Sequence, residues 1–459
     1  MRSIAKALIL LFLVSNGMWI AKDNLVRDGD EEGHVGAAEL FLFDLNQGQY
    51  GHALHRAFVA DMGDYPSLYP SIVGSWWWIQ GGGDPGRLLV RGINLGFLLL
   101  ASWGVYLIAA RSCTRDLALL AAALSMFAPL SLGAARHFMP EGALAAAVAL
   151  TIAAAVNQRR SPTPKSALLL GLAIAAGMLT KQTFPLYVAI PVIVTIRWRI
   201  SILWTAATLV GALPWYISNF SHQLKYTSSS AEYMGGGSLL SHLFYYPAAL
   251  ISHSYGPVWA LFIVICLLAA LKGSQRKLAV TGLVWILGGI LLLTLVPKKY
   301  ERLAVPLLPA CGLIIAAGLA ARPKLLRLTP LPVAWSLWVS FGATVQPPSP
   351  IADFEPGCLQ VWIRTPQTAS MGFEPIVAVS QDAVVYNVRV IDGPQIPCEV
   401  QTTFDWEYHL GPHLRRAGVD PSPNGVGELV IDFRDDDHEV PLLNESYSAH
   451  FTLFSGEEN

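Results

Sequence analysis

The chain has 459 residues, of which 53% are hydrophobic and only 14% are charged, and its mean hydropathy is +0.45. This composition excludes a soluble globular protein and indicates an integral membrane protein. The formal net charge of -1 argues against a polyanionic partner, and no basic, aromatic-rich stretch of the sequence indicates nucleic-acid binding.

Long apolar runs recur from residue 4 to about residue 345, near the roughly 20 residues that span a bilayer. Because lipid offers backbone N–H and C=O groups no partner, each run is expected to be a helix. The sequence therefore predicts an α-helical polytopic membrane protein with about eleven transmembrane helices. They are expected at residues 4–21, 86–110, 116–134, 139–157, 166–180, 184–197, 201–217, 252–271, 278–296, 303–321 and 329–345.

The first apolar run is also compatible with a signal peptide, because Arg2 and Lys6 precede a short apolar core. No clean small-x-small cleavage site follows before Lys22, which favours an uncleaved helix.

The Lys and Arg residues predict which side of the membrane each loop occupies, since they accumulate in cytoplasmic loops. Basic groups fall in every second loop when the predicted spans are counted, near residues 2–6, 111–115, 159–165, 197–199, 272–277 and 322–327. This pattern predicts a cytoplasmic N-terminus, with segment 22–85 and the tail from about residue 346 outside. A multi-pass protein of the bacterial inner membrane would have this arrangement.

Two basic sites break the pattern, Lys181 in "LTKQTF" and the cluster "PKKYER" with Lys299 and Arg302. Long basic side chains at helix ends can simply extend to the lipid headgroups, and that interpretation stays open. Two such sites on the same face as an acidic segment favour a bound phosphate, because ammonium and guanidinium groups form charge-assisted hydrogen bonds to phosphate oxygens.

The acidic stretch "RDGDEEGH" in segment 22–85 directly follows the first apolar helix, where ionisable groups are costly and tend to be functional. Two apolar stretches further on, "AAELFLFDL" and "SLYPSIVGSWWWIQ", are too short or too interrupted by proline to span. They are expected to be helices along the membrane surface, with Trp76, Trp77 and Trp78 in the interfacial aromatic belt.

A second acidic position lies in "ARHFMPEGAL", between the third and fourth predicted spans. Glu141 follows Pro140 at a predicted helix start, so it could serve only to complement the helix dipole. Its place on the same membrane face as Asp30 also makes it the second candidate acid of an active site, with His137 beside it.

These stretches occur in a fixed order: "DEEGHVGAAEL", "YPSLYPSIVG", a Gly-rich break with Arg91 on the next span, "ARHFMPEGAL", "GLAIAAGMLTKQTFPLYVAIP" and "KKYERLAVPLLPACGLIIAAGL". In this order the chain resembles the GT-C superfamily of polytopic glycosyltransferases, over about residues 1–321. It is most similar to the group of protein O-mannosyltransferases and lipid A aminoarabinose transferases. The chain departs from that group in having Glu141 in place of Asp, and Tyr300 directly beside Lys299.

The resemblance implies a polyprenyl-phosphate-sugar donor and transfer of the sugar, with inversion, to a hydroxyl of a lipid, glycan or protein acceptor. Asp30 is the candidate general base, since an alcohol is a poor nucleophile at neutral pH. Glu31 and Glu141 are the other candidate catalytic acids, which could orient the acceptor or a metal ion. The candidate substrate-binding residues are Arg91, His137, Lys181, Lys299, Tyr300 and Arg302.

Several histidines, including His34, His52 and His55, also fall on the predicted outer face, but their spacing matches no metal-ligand motif. We therefore assign no metal site and no certain cofactor, and a divalent metal ion is left open.

From about residue 346 the composition becomes Pro-rich and acidic, with strand-like alternation near 375–391 and 428–433. The sequence thus predicts a membrane domain at 1–345 and a small extracytoplasmic domain of mixed α/β or β type at 346–459.

The main alternative function is a polytopic transporter or flippase for a lipid-linked or small anionic substrate. A transporter would be expected to have charged residues near the centres of its helices and to consist of two halves related by an internal repeat. Here the predicted spans are nearly free of ionisable residues and show no internal repeat. A non-catalytic envelope assembly or sensor protein would leave the acidic and basic positions without a role.

Overall fold

A computed structural model describes residues 1–22, 29–59, 65–81, 87–196, 201–221, 223–224, 239–296 and 299–342, and the strands of the tail. The side chains of residues 22, 29–33, 87–91, 201, 239, 241, 253 and 341–342, and those of the tail, lie outside this description.

The chain divides into two compact units. The first comprises Met1–Asp23, Ala37–Thr344 and Ala369–Gly372, and the second comprises Asn24–Gly36, Val345–Thr368 and Phe373–Asn459. The predicted boundary between 345 and 346 stays a prediction, because the second unit also includes residues that follow the first helix.

The first unit is helical. Its helices are α1 (Arg2–Lys22), α2 (Gly29–Asn46, which begins in the second unit), α3 (Tyr50–Phe58), α4 (Leu68–Ile79), α5 (Arg87–Ala109), α6 (Arg115–Ser125), α7 (Pro129–Arg136), α8 (Glu141–Arg160), α9 (Pro164–Thr180), α10 (Phe184–Thr195), α11 (Ser201–Ser218), α12 (Leu239–Ala249), α13 (Gly256–Leu271), α14 (Arg276–Leu293), α15 (Cys311–Ala321) and α16 (Pro330–Leu337). Short 3-10 segments (Glu301–Ala310, Pro323–Leu328) and π segments (Leu250–Ser254, Trp338–Gly342) join them.

The helices have the apolar character of an integral membrane protein. Among the described residues, five helical stretches are long and apolar enough to span a bilayer: Arg2–Ala21, Gly92–Ala109, Glu141–Arg160, Arg276–Leu293 and Glu301–Ala321. The number rises to seven if each of two bent helix pairs is counted as one span. Three further apolar helices, Pro164–Thr180, Pro185–Thr195 and Ile202–Ser218, are shorter. A polytopic helical membrane protein is thus confirmed, whereas the predicted eleven spans are not.

Proline explains where the helices depart from the predicted continuous spans. Within the predicted span 116–134, α6 and α7 meet at an angle of 70°. Pro129 begins α7 and the preceding Ala128 is extended, because the proline ring disfavours helical geometry in the residue before it. In Glu301–Ala321, the first ten residues, Glu301–Ala310, form a 3-10 helix. Pro306 and Pro309 lie in this segment and lack the backbone N–H groups that an α-helix requires.

Small residues let the central helices approach closely. Helix α8 is rich in alanine and is buried along most of its length. A Cβ added to Gly104 of α5 would lie 2.8 Å from the carbonyl carbon of Ala149 in α8. Contacts between small residues of this kind are the usual basis of helix association in membranes.

A buried charge joins the first helix to the last described helical segment, Trp338–Gly342. Arg136, at the end of α7, is 1% exposed and donates from Nε to Oδ1 of Asn16 in α1 at 2.8 Å. Its Nη1 donates to the carbonyl oxygen of Ser340 at 3.4 Å, and its guanidinium carbon lies 4.8 Å from the ring centroid of Trp19. These contacts offset the cost of placing a cation inside the helical unit.

The described part of the tail consists of short strands. The largest sheet has three strands: β6 (Gly427–Asp432) pairs in parallel with β4 (Val388–Ile391) and antiparallel with β9 (His450–Ser455). The other described strands form three separate antiparallel pairs: β1 (Trp362–Ile363) with β2 (Ile376–Val377), β3 (Val384–Val385) with β5 (Gln401–Thr402), and β7 (Glu439–Leu442) with β8 (Glu445–Ser448). Strands lie in both stretches where the sequence alternates, near 375–391 and 428–433.

The close contact between α5 and α8 gives a stability prediction. Gly104→Val is expected to lower the free energy of unfolding by about 1–3 kcal/mol, because its new methyl groups would overlap Ala149. Gly96→Val, on the same helix, is the matched control, since nothing lies within 4 Å of a Cβ added there. Thermal unfolding of the purified proteins in detergent measures both changes, and equal unfolding temperatures for the two variants would contradict the packing described.

Candidate active site

Helices α8 and α9 form a hairpin that brings two predicted site residues together. The connection between them is short, and its Thr163 caps α9 by accepting a hydrogen bond from the backbone N–H of Ser166. The first residue of α8 and the residue that follows α9 therefore lie at the same end of the hairpin. These residues are Glu141 and Lys181.

Glu141 and Lys181 form a buried ion pair. The Nζ of Lys181 lies 2.6 Å from Oε1 of Glu141, and the two side chains are 5% and 3% exposed. Lys181 therefore does not extend to lipid headgroups, which was the alternative interpretation of its position. Glu141 also lies in the first turn of α8, where a carboxylate interacts favourably with the helix dipole.

A third predicted residue, Arg302, joins this pair. It lies in the 3-10 segment Glu301–Ala310, and its Nε is 3.8 Å from Oε1 of Glu141. The hydroxyl of Tyr187 in α10 donates to the carbonyl oxygen of Leu303 at 2.9 Å, which fixes the adjacent backbone. The structure thus brings together Glu141, Lys181 and Arg302, which are separated by up to about 160 residues in the chain. We call these three residues the charge cluster.

One aromatic residue contacts Lys181, and a second packs against the turn that carries it. Its Nζ lies 5.2 Å from the ring centroid of Tyr65, within the range of a cation–π interaction. The turn that carries Lys181 packs closely, since a Cβ added to Gly177 would overlap the ring of Phe184. Glycine at 177 therefore allows the chain to turn directly from α9 into α10.

The charge cluster contains two cations and one carboxylate, so the three groups together carry an excess of one positive charge. Glu141 and Lys181 are excluded from solvent, and their interaction with charges is screened less than at a surface. A group of this kind suits a ligand that brings negative charge, such as a phosphate.

Lys299 and Tyr300 lie near Arg302 in the chain but make different contacts. The Nζ of Lys299 donates to the carbonyl oxygens of Leu293 and Thr294, both at 2.9 Å, and to that of Val296. Partial burial lowers the pKa of this ammonium group. These bonds satisfy carbonyl groups at the end of α14. A role for Lys299 in substrate binding stays a prediction, whereas its structural role is evident.

Tyr300 contacts Arg302, whose guanidinium carbon lies 5.0 Å from its ring centroid. His137 is 6% exposed and lies in the connection that leads to Glu141. The side chains of Asp30, Glu31 and Arg91 lie outside the described residues. Their assignment to the site stays a prediction.

Sequence analysis missed two residues next to the charge cluster, Asn94 and Tyr69. Asn94 is completely buried in α5, and its amide contacts the connection that precedes Glu141. Tyr69 of α4 is 1% exposed and donates its hydroxyl to Asn94. An amide within the apolar run "INLGFLLL" is a signal that could have identified Asn94, because polar groups in spans are costly.

The histidines weighed as metal ligands can be placed, and His55 is exposed on α3. His34 is 5% exposed, and Nδ1 of His52 lies 3.1 Å from Oδ1 of Asp44, which also accepts a hydrogen bond from Arg56 at 2.5 Å. These bonds join α2 to α3. Within the described part of the chain, no group of three or more His, Cys, Asp or Glu residues lies close enough to hold a metal ion.

Comparison with known proteins agrees with this architecture. A family model described as dolichyl-phosphate-mannose-protein mannosyltransferase matches residues 88–218, which include Asn94, Glu141 and Lys181. The predicted resemblance is confirmed. No curated protein matches the chain by sequence.

Two solved structures share the fold. ArnT from Cupriavidus metallidurans bound to undecaprenyl phosphate is similar with a TM-score of 0.55 and 17% identity, covering 75% of this chain and 65% of that one. The apo state of the same protein gives a TM-score of 0.52 at 17% identity, covering 75% of this chain and 66% of that one. The chain thus has an ArnT-like fold and spans slightly less than two thirds of ArnT.

The charge cluster predicts unequal effects of neutralising its members. Glu141→Gln is expected to lower the free energy of unfolding by about 3–5 kcal/mol, because it leaves Lys181 and Arg302 without the carboxylate they both face. Lys181→Met is expected to cost less, since Glu141 still faces Arg302. Thermal unfolding in detergent ranks the variants, with Asp116→Asn at an exposed position as the control. A larger loss for Lys181→Met would show that Arg302 does not share the carboxylate.

Proposed function

We propose that this protein is a membrane glycosyltransferase that moves a sugar from a polyprenyl-phosphate donor to a hydroxyl acceptor at the extracytoplasmic face. The observation that carries the proposal is the buried cluster of Glu141, Lys181 and Arg302 in an ArnT-like fold. The mannosyltransferase family match over residues 88–218 supports the reaction class. ArnT, whose fold the chain shares, binds undecaprenyl phosphate, and this supports the class of donor lipid.

The two cations would act on the lipid phosphate. As the glycosidic bond breaks, the leaving phosphate gains negative charge, and cations held in place beforehand stabilise the transition state. Lys181 and Arg302 are assigned this role, and both face Oε1 of Glu141, which lies 2.6 Å from Nζ of Lys181 and 3.8 Å from Nε of Arg302. A partly buried site strengthens the effect, because water screens the charges less there.

The acceptor hydroxyl needs a base, and we assign this role to Asp30 from the sequence. A base takes the proton of the hydroxyl as its oxygen attacks the anomeric carbon, while the bond from that carbon to the phosphate breaks. One displacement from the face opposite the leaving phosphate inverts the configuration of the sugar, without the covalent intermediate of retaining enzymes. A divalent metal ion stays an expectation from the sequence, and no step here depends on one.

An apolar groove in the helical unit offers a place for the hydrocarbon chain of the donor. It has a volume of about 890 Å³ and lies among α2, α3, α4 and α5, with Ser71 and Ser75 as its polar lining side chains. Its long walls carry Leu68, Ile72 and Ile79 from α4 and Ile93, Phe97 and Leu100 from α5. Gly92 and Gly96 keep it open, since nothing lies within 4 Å of a Cβ added at either position.

The groove is connected to the charge cluster through α4. Tyr65, which contacts Lys181, precedes this helix by three residues, and Leu68 begins both the helix and the lining of the groove. A lipid whose phosphate lies at Lys181 could therefore extend its chain along α4.

The position of the charges favours a transferase over a transporter. Glu141 is the first residue of α8, which is long and apolar enough to span a bilayer, so Glu141 and the Lys181 paired with it lie near one face of the membrane. A transporter of the broken-helix type places its substrate site near the midplane of the bilayer.

Purified protein reconstituted with polyprenyl-phosphate sugars and a panel of lipid, glycan and protein acceptors tests the function. Asp30→Asn is expected to lower the rate of transfer by about 100-fold or more, the usual contribution of a general base. Asp116→Asn, on an exposed helix start, is expected to leave the rate unchanged. Full transfer by a normally folded Asp30→Asn protein would remove Asp30 as the base, and absence of transfer by the unaltered protein with every donor would remove the proposed function.

The groove predicts a dependence on the length of the lipid chain. Gly96→Leu is expected to raise KM for a long-chain polyprenyl donor about tenfold, equivalent to roughly 1.4 kcal/mol, because the leucine side chain would occupy the groove. A donor with a chain of only two isoprene units should show little change. Gly17→Leu, on α1 and also in open space, is the matched control. An equal change of KM for both donors would show that the chain binds elsewhere.

A further inference from the structure

Asn94 is a completely buried amide inside an apolar helix. It lies in the stretch Gly92–Ala109, which is long and apolar enough to span a bilayer. A buried amide is costly unless its donors and its acceptor are all hydrogen-bonded. Its presence in this stretch therefore calls for an explanation in terms of its contacts.

The amide of Asn94 binds the connection that leads into α8. Its Nδ2 donates to the carbonyl oxygen of His137, and to that of Met139 at 3.3 Å. Its Oδ1 accepts a hydrogen bond from the hydroxyl of Tyr69 at 3.3 Å. An amide supplies two donors and an acceptor in a fixed plane, so these three bonds also fix its orientation.

This connection determines where Glu141 is placed. It consists of residues 137–140, with an extended His137 at its start and Pro140 immediately before Glu141. On the other side of Glu141, a Cβ added to Gly142 would lie 3.6 Å from Oδ1 of Asn94. The amide therefore binds the chain before Glu141 and lies beside Gly142 after it, which limits how far Glu141 can move along or around the start of α8.

Tyr69 adds a second support from α4. Its ring lies 5.3 Å from that of Phe138, in the same connection, and 5.9 Å from that of Phe97 on α5. Four residues before Tyr69 in the chain, Tyr65 contacts the ammonium group of Lys181. Tyr69 of α4 thus contacts the groups that position Glu141, and Tyr65, just before α4, contacts Lys181 directly.

We infer that Asn94 is a positioning residue which, supported by Tyr69, sets the place of Glu141 relative to Lys181 and Arg302. The inference rests on the proposed function, in which Glu141 holds the two cations that act on the lipid phosphate. Misplacement of a reacting group by about 1 Å can lower a rate about 100-fold. The ion pair of 2.6 Å therefore depends on a side chain that does not touch either of its charged groups.

The test is a double-mutant cycle between Asn94→Leu and Glu141→Asp, measured on kcat and on the unfolding temperature. Asn94→Leu alone is expected to lower kcat about 10- to 100-fold. When Glu141 is already shortened to Asp, the same change should cost much less, because Asn94 acts through Glu141. Tyr69→Phe should give a smaller loss of the same kind, since it removes one bond to Oδ1.

Asn219 provides the matched control. It is 6% exposed and its Nδ2 also donates to two carbonyl oxygens, those of Val59 at 2.8 Å and Trp215 at 2.9 Å. The effects of Asn219→Leu and Glu141→Asp should simply multiply in kcat and add in unfolding temperature.

Two outcomes would overturn the inference: an unchanged kcat for Asn94→Leu, or effects of Asn94→Leu and Glu141→Asp that are as independent as those of the control pair. The unfolding measurements need no substrate. If the unaltered protein transfers no sugar, the proposed function fails, and coupling between Asn94 and Glu141 in the unfolding temperature still decides whether Asn94 positions Glu141.

Discussion

The buried ion pair between Glu141 and Lys181 is the interaction on which the candidate site depends. Each charge would be costly at its depth without opposite charge nearby, and removal of Glu141 takes away the carboxylate that both Lys181 and Arg302 face. The pair therefore requires α8, α9 and the segment with Arg302 to meet at one end of the helical unit. Alanine-rich packing allows this, because small side chains let α8 approach α5 closely.

Much of the fold and part of the site could be predicted from the sequence. Hydropathy predicted a polytopic helical membrane protein but not the number of its spans, and the exceptions to the distribution of basic residues drew attention to Lys181 and Arg302. The bend between α6 and α7 was missed because both helices are apolar and read as one span, whereas the backbone leaves the helical conformation just before Pro129. The role of Lys299 at the end of α14 depends on a local turn that brings its ammonium group to backbone carbonyls, and the distribution of basic residues along the sequence does not predict such a turn.

The residues that sequence reasoning missed are neutral. Asn94 and Tyr69 carry no charge and match no catalytic pattern, so only their depth and hydrogen bonds distinguish them. Charge patterns thus predicted the groups proposed to act on a substrate, and the structure was needed for the groups that hold them. Asp30, chosen on charge and position alone, remains the part of the mechanism that depends most on sequence.

The guanidinium of Arg136 has a consequence for how the helical unit is assembled. Two of its acceptors are the side chain of Asn16, near the start of the chain, and the carbonyl of Ser340, more than three hundred residues later. During synthesis, the first acceptor is available before α7 is made, but the second is not made until about two hundred residues after it. The contact between α7 and α1 can therefore form early, whereas the bond to Ser340 is expected to form late, once the helical segment that carries Ser340 has been made.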